Sequence, residues 1–322
     1  MKRNDWRNRL KSVLTGLMLW LVTGLQAQQF YERSAVYGDV EMHFDLDSVG
    51  PKGSRGVVLR IPGELNGRRQ TFTLDTGASI NVVSPQLADA LGLISTDTTA
   101  DVEGIGLGTG RMVVADTLHL GNVTFAHVPF YIMEATTGDS LADVHLRHLR
   151  LMLGRPLLEA LGRVTVDFDQ HLLTAPKRPK RKQKRVKRSN LEIADNVLML
   201  TLGDGLRVIP DFGATHSVLD SAYFAAHRDE ITARAKADTV RYAGFGGMTT
   251  GVEYTLKDFA MTIDGKPFVL PAVTVYTTDG YEPRLGMDFF SHQRRVVIDL
   301  RRWRMSVEKL ENEGGKTMVN FG

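Results

Sequence analysis

Short alternating or apolar runs recur along most of the chain, among them "GVVLRI" (56–61), "TFTL" (71–74), "VTVDF" (164–168), "VLMLTL" (197–202), "TVYTT" (274–278) and "RVVIDL" (295–300). Each is bounded by Gly, Asn or Asp turn signals, which predicts half-buried and buried β-strands. Helical spacing is confined to three stretches: "SPQLADALG" with Ser84 as N-cap and Gly92 as the stop, "RPLLEALG" (155–162), and "DSAYFAAHRDEITARAKA" (220–237). The pattern predicts an all-β protein with a few short helices.

The two halves of the chain repeat one another. "TLDTGAS" (73–79) and "IPDFGAT" (209–215) each run a strand into an acid, a glycine and a hydroxyl residue. A Gly-rich segment follows in each ("VEGIGLGTG", "YAGFGGMTTG"), then an apolar strand ("VPFYIM", "PAVTVY"), then a Leu-Gly pair and a β-rich tail. The intervals agree: Asp75 to Gly154 nearly matches Asp211 to Gly286, and Leu153 to Asp167 equals Leu285 to Asp299. A period of this length is too long for a solenoid and predicts two pseudo-symmetric lobes.

Charge refines the boundaries. The net +3 conceals +4 from segment 1–27 and +9 from "KRPKRKQKRVKR" (177–188), so the remainder carries −10. Segment 1–27 pairs a basic head (Lys2, Arg3, Arg7, Arg9, Lys11) with the apolar run "VLTGLMLWLVTGL" and a cleavage point after Ala27. That run is shorter than the ~20 residues of a membrane span and reads as a signal peptide. The expected organisation is a signal peptide (1–27), a first lobe (28–175), a basic inter-lobe linker (176–190), a second lobe (191–312) and a tail (313–322), exported to a bacterial periplasm or cell envelope. The linker has too little apolar content to offset its ordering entropy and reads as a solvated loop, with an anionic surface or polyanion as the alternative partner. The chain has no cysteine, which excludes disulfides, thiol nucleophiles and thiolate metal sites.

The two acids carry the candidate chemistry. In Asp-Thr-Gly-Ala-Ser, Gly77 permits close backbone approach and Ser79 offers a hydrogen bond to a carboxylate held at a strand end. Brought face to face by the repeat, Asp75 and Asp211 would share one proton, because like charges about 3 Å apart cannot both ionise. Such a pair acts as base toward a water and as acid toward a carbonyl oxygen, without metal or cofactor.

"LDTGASINVVS", the Gly-rich segment that follows it and "LMLGRPLL" near the lobe's end resemble the retropepsin-like and pepsin-like aspartic proteases, over roughly residues 55–175 and 191–308. The resemblance implies a β lobe repeated in one chain, a cleft between the lobes, and hairpin flaps closing over an extended polypeptide. By position the flap tips fall at Gly104–Gly110 (with Gly106 and Gly108) and at Gly244–Gly251 (with Gly246). It further implies Asp75 and Asp211 as the water-activating dyad, Thr76 locking the two loops together, Gly77 and Gly213 shaping them, and Ser79 and Thr215 supporting the carboxylates. Phe212 stands where the second locking threonine belongs. With both acids in one chain a monomer suffices. An aspartic endopeptidase is therefore expected; the alternatives are a peptide-binding pseudo-peptidase and an envelope protein acting through its basic ribbon.

The remaining features read as structural. Asp167 and Asp299 are expected as turn or loop residues repeated by the duplication, and His216 as a partly exposed turn residue. "GIGLGTG" lacks the helix and acidic residue of a dinucleotide site, and "DFG" lacks the companion kinase signatures. His145 and His148 are the nearest approach to metal spacing and predict no site. Neither a cofactor nor a specific nucleic-acid partner is expected.

Overall fold

The computed structural model describes residues 39–50, 56–104, 106–136, 143–176, 189–245, 247–280 and 282–310. Segment 1–27, the core of the basic linker (177–188), the 313–322 tail and Gly246 lie outside these described residues.

The chain folds into two β lobes joined by a shared sheet, the all-β, two-lobed architecture that the repeat predicts. The shared sheet runs Val40–His43, Leu172–Ala175, Arg163–Asp167, Gln293–Asp299, Arg304–Lys309, antiparallel throughout, with its first three strands from one half and the last two from the other. At its centre Thr165 pairs with Val297, flanked by Arg163 opposite Asp299 and Asp167 opposite Arg295. One and the same sequence offset carries Arg163 onto Arg295 and Asp167 onto Asp299, so the pseudo-twofold axis passes through this pair of strands.

Asp167 and Asp299 are therefore the last residues of buried strands, not loop residues. Asp167 accepts from Arg295 Nε (3.1 Å) and a terminal guanidinium nitrogen (2.8 Å) across the boundary, and from the Gln170 amide (3.0 Å). Burial opposes its charge, but these bonds prevail and hold its carboxyl below the usual range. Asp299 accepts from the amides of Arg301 (3.0 Å) and Arg302 (3.1 Å) and lies 3.9 Å from Arg163 Nε. Alternation could not separate a strand-end acid from a loop acid, because the partner lies in the other lobe.

Each lobe then builds its own sheet around its acid. In the first, Arg68–Leu74 pairs in parallel with Leu151–Leu153, which pairs antiparallel with Val82–Val83, itself parallel to Val123–Ile132. The second repeats this with Arg207–Pro210, Arg284–Leu285, Val218–Leu219 and Lys266–Tyr276. In both lobes a strand from far along the chain is inserted between the strand entering the acid loop and the strand leaving it. Fully buried Leu59, Ile61, Phe72, Leu74, Leu153, Leu285 and Phe290 fix these strands, each contributing roughly 1.5–3 kcal/mol on burial.

The Gly-rich segments form hairpins, Ile94–Gly104 with Gly106–Leu120 and Ala237–Phe245 with Gly247–Ile263. Their turns are tighter than expected: Gly104 pairs with Gly106, while Gly108 and Gly110 already belong to the returning strand, opposite Val102 and Ala100. In the second hairpin Gly244 pairs with Gly247 and Gly251 lies opposite Val240. The outer strand of this hairpin also pairs with the first lobe, Gly244 with Thr136 and Phe245 with Ala135.

Helices are few and short. Pro85–Ala90 has Ser84 at its N-cap in extended geometry, with Pro85 at the first position, where a missing N–H costs nothing, and Gly92 follows it at φ +63°. The 220–237 stretch forms two helices, Ser221–Ala226 and Arg228–Arg234, because His227 between them leaves helical geometry (φ −122°, ψ 23°). Asp220 caps the first by accepting from the Tyr223 amide at 2.9 Å.

Candidate active site

The inserted strands fix both acids to the backbone in the same way. The amide of Asp75 donates to Leu153 O and that of Asp211 to Leu285 O, each at 2.9 Å. One turn on, the amides of Arg155 and Met287 donate to Ala78 O and Ala214 O, each at 2.8 Å. The glycine of each Leu-Gly pair receives the loop: Gly154 N donates to Asn81 Oδ1 (3.0 Å) and Gly286 N to Ser217 Oγ (2.9 Å). A side chain there would collide with loop carbonyls, 2.7 Å from Ala78 O at Gly154 and 2.8 Å from Ala214 O at Gly286. The Leu-Gly signature is thus a packing requirement of the acid loop.

The carboxylates are brought together across the lobe boundary. A Cβ on Gly77 would stand 2.7 Å from the carboxyl carbon of Asp211, and one on Gly213 would stand closer still to that of Asp75. Each acid thus rests on the other lobe's glycine, near enough to the other acid for its charge to be felt. Asp75 Oδ1 accepts from the Ala78 amide at 2.8 Å. Asp211 Oδ1 accepts from the amides of Gly213 (2.8 Å) and Ala214 (3.1 Å). Enclosure between the lobes, with the Asp211 charge beside it, pushes the Asp75 carboxyl up to about 8 despite the Ala78 amide. Asp75 accordingly keeps its proton through the neutral range.

Thr76 is fully buried and reaches into the second lobe, donating to Pro210 O and accepting from Phe212 N at 2.9 Å. Phe212, also fully buried, replaces the reciprocal hydroxyl with packing. Its ring meets Phe290 edge-on at 4.9 Å and Phe168 of the first lobe at 6.1 Å, and Phe168 meets Phe44 at 5.6 Å. Polar bonds join the lobes on one side of the dyad and aromatic contacts on the other.

Two expectations are corrected. Thr215 does not support Asp211: its hydroxyl lies 2.8 Å from His216 Nδ1, and its methyl side lies under Gly56, where any Cβ would collide with it. Nor does Ser79 bond Asp75 among the described residues. The supporting bonds come instead from the amides of Ala78, Gly213 and Ala214. His216 is exposed. His148 lies in the 3₁₀ segment Val144–Arg150, where its carbonyl accepts from Thr73 Oγ1 at 2.6 Å.

One residue of the site escaped sequence reasoning. Arg284 donates to Asp211 Oδ2 at 3.1 Å, its side chain about one-third exposed and that of Asp211 almost fully buried. Counting back from the Leu-Gly pairs, Arg284 holds the position of Met152 in the first lobe, which is buried and apolar. Among the described residues, no such cation is bonded to the first acid. Aligning the repeats one residue further upstream of "LG" would have exposed this difference.

Residues 61–157, from within strand Gly56–Leu65 to the helix after Gly154, match the aspartyl protease family model. No curated protein matches the chain in sequence. Among solved structures, the basic 7S globulin from soybean is similar at 13% identity, with 88% of this chain and 99% of that chain covered and a TM-score of 0.47. Conglutin gamma, a basic 7S globulin from lupine seeds, follows at 11% identity, 84% and 95% coverage and TM-score 0.45. A retropepsin-like aspartic protease from Rickettsia conorii is similar at 17% identity over 44% of this chain and 95% of its own, with TM-score 0.25.

Proposed function

We propose that this chain, whose residues 61–157 match an aspartyl protease family model, is an aspartic endopeptidase whose Asp75/Asp211 dyad activates water against a peptide bond. The observation that carries this reading is the reciprocal seating of each carboxylate on the other lobe's glycine, in contact across the boundary. Two enclosed carboxyls sharing one proton supply a base and an acid at once. The ionised member takes a proton from a water held between them, the oxygen attacks the carbonyl carbon, and the protonated member gives its proton to the carbonyl oxygen. Collapse of the tetrahedral adduct breaks the C–N bond: the proton taken from water passes to the leaving amine, and the acid that gave up its proton takes one back from a hydroxyl of the adduct, which restores the pair. The two Gly-rich hairpins support an extended polypeptide as substrate, and the basic-then-apolar N-terminal segment supports export to a periplasm or envelope.

Hydrolysis of a denatured protein, followed from acid to mildly alkaline pH, tests the reading. Wild type is expected to cut, and Asp75→Asn and Asp211→Asn are each expected to lose at least a thousandfold in rate, about 4 kcal/mol of barrier. Full activity in either variant would overturn the shared dyad.

A second reading, a peptide-binding protein without hydrolysis, draws support from Phe212 in the place of a hydroxyl. Saturable binding of an unfolded polypeptide, with no cleavage at any pH, would favour it.

A further inference from the structure

The geometry points to Arg284 as the positioning residue that divides the dyad's labour, keeping Asp211 the charged member and base and leaving the shared proton on Asp75 as the acid. This rests on the peptidase reading and adds to it an asymmetry that the duplication alone would not produce. A symmetric pair has no preferred site for its proton. Here a guanidinium lies 3.1 Å from one oxygen of Asp211, while the matching position in the first lobe is the buried thioether of Met152. A charge-assisted hydrogen bond favours the ionised carboxyl that receives it.

The other bonds reinforce the bias. Asp211 Oδ1 accepts from two amides and Asp75 Oδ1 from one. Acceptance from N–H groups stabilises a carboxylate over an acid, so the better-supplied member is again Asp211. Asp75, enclosed and facing a charged neighbour, is the member whose carboxyl is pushed up to about 8.

Among the described residues, few other ionisable groups bear on Asp211. The first-lobe loop presents Asp75, the inserted strand presents Arg284, and its own loop presents the exposed His216, whose ring nitrogen is turned to Thr215. The following helix presents Asp288, whose carboxylate accepts from Ser217 Oγ (2.7 Å) and Ser217 N (2.9 Å). Burial pushes Asp288 up, and it is directed at Ser217, away from the dyad. Arg284 is thus the cation bonded to the pair among the described residues.

The consequence is a working range displaced toward neutral pH. On the acid side activity ends when the base takes up a second proton, and a guanidinium opposing that uptake carries the limb downward. On the alkaline side it ends when the shared proton leaves Asp75. The rate profile of Arg284→Met, which installs the residue found in the other lobe, is expected to show its acid limb about one pH unit higher, the low end of the effect of an opposite charge because Arg284 is partly exposed. Arg284→Lys should recover part of this displacement. An acid limb unmoved in Arg284→Met would overturn the proposal.

A second measurement is independent of turnover. Carboxyl-carbon NMR of aspartate-labelled protein near neutral pH, assigned through Asp75→Asn and Asp211→Asn, should show Asp75 protonated and Asp211 ionised, a preference weakened in Arg284→Met. A proton found on Asp211 would overturn the assignment of roles even in an active enzyme. Wild type without hydrolysis at any pH would instead defeat the peptidase reading, and the NMR result would still decide where the proton sits.

Discussion

Replacing Asp75 by asparagine should abolish hydrolysis and also make the protein more stable, by an amount that grows with pH. The folded state pushes the Asp75 carboxyl from an ordinary 3.8 up to about 8. Between these values the folded chain keeps a proton that the unfolded chain releases, so stability is fully present below the lower value and falls as pH rises toward the upper. The slope from one such group is about 1.36 kcal/mol per pH unit. From about pH 5 to pH 7, inside both ends of the window, wild type should lose roughly 3 kcal/mol through the enclosed pair, a sizeable part of the roughly 5–15 kcal/mol typical of a folded protein.

The carboxamide introduced by Asp75→Asn resembles the protonated acid: its oxygen accepts from Ala78 N and its NH2 group donates to Asp211, with no proton to lose. Groups away from the pair titrate alike in both proteins, so the difference reports the proton that the pair holds. Urea unfolding at half-unit pH steps, followed by circular dichroism, provides the comparison, with an unchanged urea dependence required for the midpoints to be read as stability. Wild type and variant should diverge by roughly 3 kcal/mol over the interval, the loss assigned to the pair's shared proton. Parallel curves would show that Asp75 is not enclosed against a charged partner.

Two further outcomes follow from the same geometry. Phe212→Ala removes a fully buried ring that touches both lobes and should cost about 3–5 kcal/mol, read as a lowered unfolding midpoint; a cost below about 1 kcal/mol would mean that the site relaxes around the loss. Gly213→Ala places a methyl against the Asp75 carboxyl, and a displacement of about 1 Å should reduce the rate on the order of a hundredfold with the fold intact by circular dichroism; undiminished rate would refute the close seating of the dyad.

Much of the dyad was legible in the chain because the features that position it are local. Strand, acid, glycine and the later Leu-Gly pair lie within short motifs, and their recurrence at matched intervals already placed Asp75 opposite Asp211. The exchange of Thr76 for Phe212 was visible for the same reason. What escaped reading depends on neighbours remote in sequence. Asp167 and Asp299 are strand-end acids because the halves share a sheet, and no periodicity within either half announces a partner in the other. Arg284 reaches Asp211 from a strand far along the chain; alone it reads as one more charge before an apolar pair. Ser79 and Thr215 mislead because a hydroxyl competes for the carboxylate with backbone amides, and the tight turn around Gly77 and Gly213 presents the amides first.

The unequal clasp of Thr76 and Phe212 shows how far the two halves have become committed to one another. A pair of first lobes would have hydroxyls on both sides but no guanidinium to break the tie over the proton. A pair of second lobes would confront Phe212 with its own copy, leave each Phe212 amide without the threonine oxygen it now bonds, and set two guanidiniums upon two carboxylates. With both lobes in one chain, each supplies what the other lacks: the first a threonine oxygen, the second a guanidinium.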